Sequence, residues 1–171
     1  MSMIFSQGNS KKITTKIDLC PQQTPLSLDA HTDNFLDEIV DLTTKICFTP
    51  VSLISIVSNE TVWLKSQVGE TYAHTRKNGN KFCGIFPKNN DYFEISDTDS
   101  DDIHKSHGFL IKGEKARFYA GAKIHLPKEK NLFGVLSVFD TCPRKLVHIQ
   151  RVYLKGMADL VSEYLLTNKT V

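Results

Sequence analysis

Cysteine is the side chain here with the widest chemistry, because a thiolate serves as nucleophile, redox centre or metal ligand. Four stand far apart at Cys20, Cys47, Cys83 and Cys142, with no Cys-x-x-Cys pair and no zinc-type spacing. Cys83 sits in the short apolar stretch Phe82-Cys83-Gly84-Ile85-Phe86, halted by Pro87. It reads either as a reactive thiol or attachment point, or as a small buried side chain packing like alanine, and buried cysteine is usually inert. Cys142 stands just before a helix, where the dipole would lower a thiol pKa, although the turn also suits an ordinary exposed residue.

Carboxylates gather at Asp97, Asp99, Asp101 and Asp102, without the glycine and closing glutamate of a calcium loop. Helix capping is the expected role. The histidine pair His104-x-x-His107 falls on one helical face and has no evident third ligand, so no metal site is predicted. Arg117 suits an anionic ligand group or a surface salt bridge. Trp63, Phe82, Phe86, Phe118, Tyr119 and Phe139 could line an aromatic pocket or simply fill the core. Strand alternation puts Phe118, Ala120 and Ala122 on one face, and Tyr119, Gly121 and Lys123 on the other.

The elements that must position these groups belong to one globular domain: 171 residues, 40% hydrophobic. A formal net charge of +2 excludes broad electrostatic attraction to nucleic acid or an anionic membrane. The longest apolar run, Val51 to Val57, is far short of a membrane span, and the N-terminus lacks a signal-peptide core. A cytoplasmic protein is predicted.

Residues 1–27 read as a polar, lysine-bearing extension, and 28–171 as a single domain. A first helix is predicted from an N-cap at Ser27 or Asp29, with Phe35, Ile39, Leu42 and Ile46 at helical spacing and Leu36, Val40 and Cys47 beside them, ending before Pro50. Strands are predicted at Val51–Ser58, Thr61–Ser66 and Tyr92–Ser96, with Asp97–Ile111 a loop holding a short helix. A hairpin follows, Phe118–Leu126 with Leu132–Asp140. Leu146, Ile149, Tyr153, Met157, Leu160 and Tyr164 mark a long last helix, interrupted by Gly156. This order predicts an α+β domain with a central antiparallel sheet. Its N- and C-terminal helices share one face, and a ligand cleft lies under loops and short helices on the other.

Five ordered segments carry a family resemblance across Phe35 to Leu165. They are Thr49-Pro50-Val51-Ser52-Leu53-Ile54-Ser55, Trp63-Leu64-Lys65-Ser66-Gln67-Val68-Gly69, Lys81-Phe82-Cys83-Gly84-Ile85, Arg117-Phe118-Tyr119-Ala120-Gly121-Ala122 and Asp140-Thr141-Cys142-Pro143-Arg144. Together they resemble the GAF domain of bacterial sensors, as found ahead of histidine kinase and GGDEF output domains. Where that family often has histidine after its Phe-Cys pair, this chain has Ile85.

The resemblance implies a stand-alone sensor that binds a small molecule of unknown identity and signals through a protein partner or a rearranged dimer. It implies no catalytic residue and no particular cofactor. The candidate ligand-binding residues are Trp63, Phe82, Cys83, Phe86, Arg117, Phe118, Tyr119 and Phe139. A homodimer is expected through the terminal helices, using Val152, Leu154, Val161 and Leu165. Two alternatives stand beside this reading. One is a thiol enzyme like free methionine-(R)-sulfoxide reductase, using Cys83, which would need a resolving cysteine nearby. The other is an interaction module that binds no small molecule, whose cleft is filled by its own aromatics.

Overall fold

A computed structural model describes residues 33–57, 62–73, 86–87, 89–102, 109–126 and 133–168, with backbone alone at 63, 71–73 and 133. The chain divides between Thr32 and Asp33, and every described residue belongs to the second unit. The polar extension and its proposed caps Ser27 and Asp29 lie outside the described residues.

Helix α1, Asn34–Cys47, starts at Asp33, whose carboxylate accepts from the Phe35 and Leu36 amides at 3.1 and 3.3 Å. It stops where Phe48 turns left-handed at φ 52°. Strands β1 (Val51–Val57), β2 (Val62–Val68) and β3 (Thr71–Ala73) follow. After them come β4 (Tyr92–Ile95), β5 (Phe109–Ile111), β6 (Glu114–Lys115), β7 (Phe118–Ile124) and β8 (Phe133–Asp140). Helix α2, His148–Thr167, ends the domain. The main sheet has five antiparallel strands in the order β2-β1-β8-β7-β4. A smaller sheet runs β3-β5-β6. The fold is α+β, as expected; β3, β5 and β6 were not anticipated, and β5 replaces part of the predicted 97–111 loop.

Strand β1 lies between β2 and β8 and is buried along its whole length on both faces. That explains a run too apolar to alternate. Leu36, Val40, Cys47, Ile54, Phe118, Ala120, Ile124 and Leu136 pack with Leu154, Ala158 and Val161 in the core between sheet and helices. Val51, Leu53, Val57, Phe86, Ile95, Phe109, Tyr119, Val135 and Phe139 form a second core on the opposite face.

Helix α1 buries the Leu36, Ile39, Val40 and Cys47 side of its expected apolar face, and α2 buries a line offset from the one its spacing suggests. In α1 the buried residues are Leu36, Ile39, Val40, Thr43 and Cys47, while Leu42 is exposed. In α2 they are Gln150, Leu154, Ala158, Val161 and Ser162, while Ile149, Tyr153 and Leu160 face outward. Two apolar lines one residue apart run along α2, and the sheet takes the one with the small residues. Ser162 there donates to the Ala158 carbonyl at 2.8 Å and accepts from the His125 amide at 3.0 Å. This corrects the expected dimer surface: Leu154 and Val161 belong to the domain's own core.

Candidate functional site

The sheet face away from the helices gathers Phe86, Phe93, Phe109, Tyr119 and Phe139. Along the first rung, Val51 pairs with Phe139, Phe139 with Tyr119 and Tyr119 with Ile95. Alternation sends all four side chains to this side. Phe109, from β5, stacks on Phe139 with ring centres 4.1 Å apart. Tyr119 sits 5.1 Å from Phe139 and 6.2 Å from Phe93, and Phe86 meets Phe93 edge-on at 6.4 Å. This end of the face is filled by the protein's own rings.

The next rungs are polar and small. Leu53 pairs with Ser137 and Ser137 with Gly121; beyond them Ser55 pairs with Val135 and Val135 with Lys123. The buried Ser137 hydroxyl donates to the Tyr119 hydroxyl over a long 3.4 Å. Ser55 is 1% exposed, and its hydroxyl has no hydrogen-bond partner among the described residues. Buried hydroxyls normally have one. The unpartnered Ser52 lies on the helix side and Thr49 on the α1–β1 link, so Ser55 is the one unpartnered hydroxyl of the described cleft face.

The candidate residues separate accordingly. Tyr119, Phe139 and Phe86 come together on the cleft face. Phe118 does not: as its neighbour in β7 it points to the helix-side core and cannot line this cleft. Phe82, Cys83 and the Trp63 side chain lie outside the described residues. Arg117 stands in an ion cluster at the sheet end. Its Nε and Nη2 donate to Asp97 at 2.8 and 2.7 Å, and Nε lies 3.0 Å from Asp99. Lys115 completes the cluster through Asp99. The salt-bridge reading of Arg117 therefore describes its contacts, and those hydrogen bonds hold the Asp97 carboxyl down at about 2. Phe93, Ser55 and Ser137 were missed, although the alternation of their strands contained the signal; Phe109 was hidden in an expected loop.

Neither described cysteine faces the cleft. Cys47 is in the helix-side core, where burial raises its thiol to about 11 against the opposing pull of Arg144. Cys142 is exposed in the turn after β8. Among the described residues no three histidine, cysteine or carboxylate side chains gather as a metal site, and no helix is long and apolar enough to cross a membrane.

Two features tie the helix layer to the sheet. At the end of β8, Arg144 Nη1 donates to Asp140 at 2.7 Å and to the Phe48 carbonyl at 2.5 Å, while Nη2 donates to the Cys47 carbonyl at 3.1 Å. Gln150 adds a bond to the Ile46 carbonyl at 3.1 Å. The C-terminus of α1 is thus capped by Arg144 from the β8–α2 link and by Gln150 from the first turn of α2. At the other end, Tyr164 stacks on Phe35 at 4.3 Å and donates to Asp33 at 3.0 Å. Further along, Glu94 accepts from Tyr92 and lies 3.5 Å from Arg151, and burial drives the Tyr92 pKa upward.

This five-stranded antiparallel sheet, with its helices on one face, superimposes on the GAF domain of an Acinetobacter phosphoenolpyruvate-protein phosphotransferase. The TM-score is 0.59 over 80% of this chain and 82% of that one, at 13% identity. The chain has the GAF fold. A second GAF-fold neighbour is the free methionine-R-sulfoxide reductase of Neisseria meningitidis, with a TM-score of 0.62 over 84% and 85% of the two chains at 15% identity. In sequence, this GAF-fold chain is 29% identical over 117 residues to a cyclic di-GMP phosphodiesterase of Pseudomonas aeruginosa. That stretch is 68% of this chain, which spans only 20% of the phosphodiesterase. No family model matches the sequence.

Proposed function

We propose that this chain is a non-enzymatic GAF sensor module. It takes a small, largely uncharged molecule at the Ser55–Ser137 end of the cleft face and signals through its helix layer to a protein partner. The observation that carries the reading is the buried, unpartnered Ser55 hydroxyl on the same face as the weakly bonded Ser137–Tyr119 pair. A ligand hydrogen bond there would offset the cost of leaving that hydroxyl unmet. Similarity to one fifth of a cyclic di-GMP phosphodiesterase supports a regulatory module serving an output of that kind. A cytoplasmic location follows from the same reading.

Native mass spectrometry of the protein purified from its own cells tests it. A retained small molecule, lost on Ser55→Ala while the fold is kept, is the expected result. The Ser55→Ala change by itself should be neutral or slightly stabilising, because it removes an unpaired buried polar group. A protein that carries nothing, with a melting midpoint that no metabolite pool moves, sinks the ligand-binding reading. The second reading is then an interaction module, favoured by one observation: the Phe109–Phe139–Tyr119 end of the face is filled from within.

A further inference from the structure

The two most exposed large apolar side chains among the described residues flank one junction, where the end of α1 meets the start of α2. They are Phe48, 77% exposed, and Val147, 58% exposed. The junction is tightly tied. Arg144 donates to the Phe48 carbonyl, and the Gln150 side chain bridges the two helices. Its amide donates to the Ile46 carbonyl and its oxygen accepts from the Val147 amide, each at 3.1 Å. Phe48 itself is left-handed at φ 52°, a conformation that glycine or asparagine adopts with less strain at a helix end. A ring this exposed adds little to the core, so folding alone gives no reason for phenylalanine here.

Charge identifies what the junction receives. The last carbonyls of α1 are taken up by Arg144 and Gln150, and the Asp140 carboxylate is paired with Arg144. Lys45, one turn before Phe48, is engaged by Asp41. The start of α2 is open by contrast: Val147 supplies no side-chain cap, and the first turn holds no acid. Such a helix end attracts anions. Lys145 and His148, on either side of Val147, are exposed and form no ion pair or hydrogen bond with a described residue. An aromatic knob thus stands beside uncompensated positive charge. Two apolar and two basic side chains match a short peptide, whereas a net charge of +2 gives no broad field for an anionic bilayer.

We propose that this junction docks an acidic segment of a partner protein that also carries large apolar residues. Phe48 is the anchor, with Val147 beside it, and Lys145, His148 and the open start of α2 hold the segment's carboxylates. The proposal rests on the protein-partner part of the proposed function and not on its ligand part, so a cleft that binds nothing leaves it intact.

Panning the full chain against a phage library of random dodecapeptides tests it, with fluorescence anisotropy of the recovered sequences as free peptides. The expected peptides combine carboxylates with large apolar side chains, and their affinity falls with added salt. Phe48→Gly and Lys145→Glu should each weaken binding at least about tenfold, as removal of an interface anchor does. Phe48→Gly should leave the melting midpoint unchanged or raise it, because the left-handed backbone suits glycine. Ser55→Ala should bind the same peptides as wild type does, which separates a failure here from a failure of the cleft reading. A library that yields no binder overturns the proposal, as do peptides without acids or peptides indifferent to Phe48→Gly. Phe48-dependent binding to phosphatidylglycerol vesicles, with no peptide recovered, overturns it in favour of a lipid surface.

Discussion

The Tyr119 hydroxyl occupies the space that a side chain at Gly121 would fill: a Cβ built on Gly121 would sit 2.5 Å from that oxygen and 3.0 Å from a Val135 methyl. The two residues are neighbours on the same face of β7. Tyr119 can therefore lie along the sheet towards Ser137 only because residue 121 has no side chain. The glycine of the Arg-Phe-Tyr-Ala-Gly-Ala segment is explained by this ring.

Gly121→Val should destabilise the domain by about 1–3 kcal/mol through overpacking, and should shift the near-ultraviolet tyrosine signal as the ring is displaced. Tyr119→Phe keeps the ring and loses one long hydrogen bond, so it should cost less than about 1 kcal/mol. Urea melts of the two variants check the contrast. Equal losses would mean that the ring does not depend on the glycine.

Arg144 is the second test. It satisfies two carbonyls at the end of α1 and the Asp140 carboxylate with one guanidinium. Arg144→Met leaves all three without that partner and should lower stability by about 2–3 kcal/mol, in line with hydrogen bonds to charged groups. Arg144→Lys should recover only part of the loss, since a compact ammonium presents its donors from one nitrogen, whereas the planar guanidinium serves these acceptors from Nη1 and Nη2. Hydrogen exchange should show the loss first in the last turn of α1.

The third concerns pH. Asp97 is held down from the ordinary 3.8 to about 2, chiefly by its hydrogen bonds to Arg117. A carboxyl depressed in the folded state binds its proton more readily when unfolded. Its contribution to stability is complete above about pH 4 and fades as pH falls from there towards 2. In Asp97→Asn that contribution should be absent. The stability gap between wild type and variant, measured by urea melts, should narrow over the same acid range and stay constant above it. A gap that does not vary with pH would show that the Arg117 pairing is not what sets this titration.

The antiparallel sheet and the two flanking helices were legible because β-branched strands and amphipathic helices leave strong periodic marks. Val51–Val57 and Phe118–Ile124 were predicted nearly to the residue. The inward side of α2 was not legible. Its two apolar lines differ by one position, and the choice rests on Ala158 and Ser162 fitting against β7, which is a matter of tertiary contact. Strand β5 is only three residues long, too short for any period, and is fixed by Phe109 stacking on Phe139. Within the site, alternation along β7 correctly separated Phe118 from Tyr119. Spacing could not reveal that Arg117 would be taken up by Asp97, twenty positions earlier in the chain.

The bonds that close the two ends of α1 come from far along the chain. Phe48 waits for Arg144, 96 positions later, Ile46 for Gln150, 104 later, and Asp33 for Tyr164, 131 later. Strand β1, placed between β2 and β8, likewise lacks one neighbour until the final strand exists. On the ribosome, the first helix and strand are therefore made early and completed last. Nascent chains that stop short of α2 would keep the sheet surface of β1 open, and contacts this distant in sequence slow folding in general. Assembly of the domain is thus timed by the emergence of its last helix.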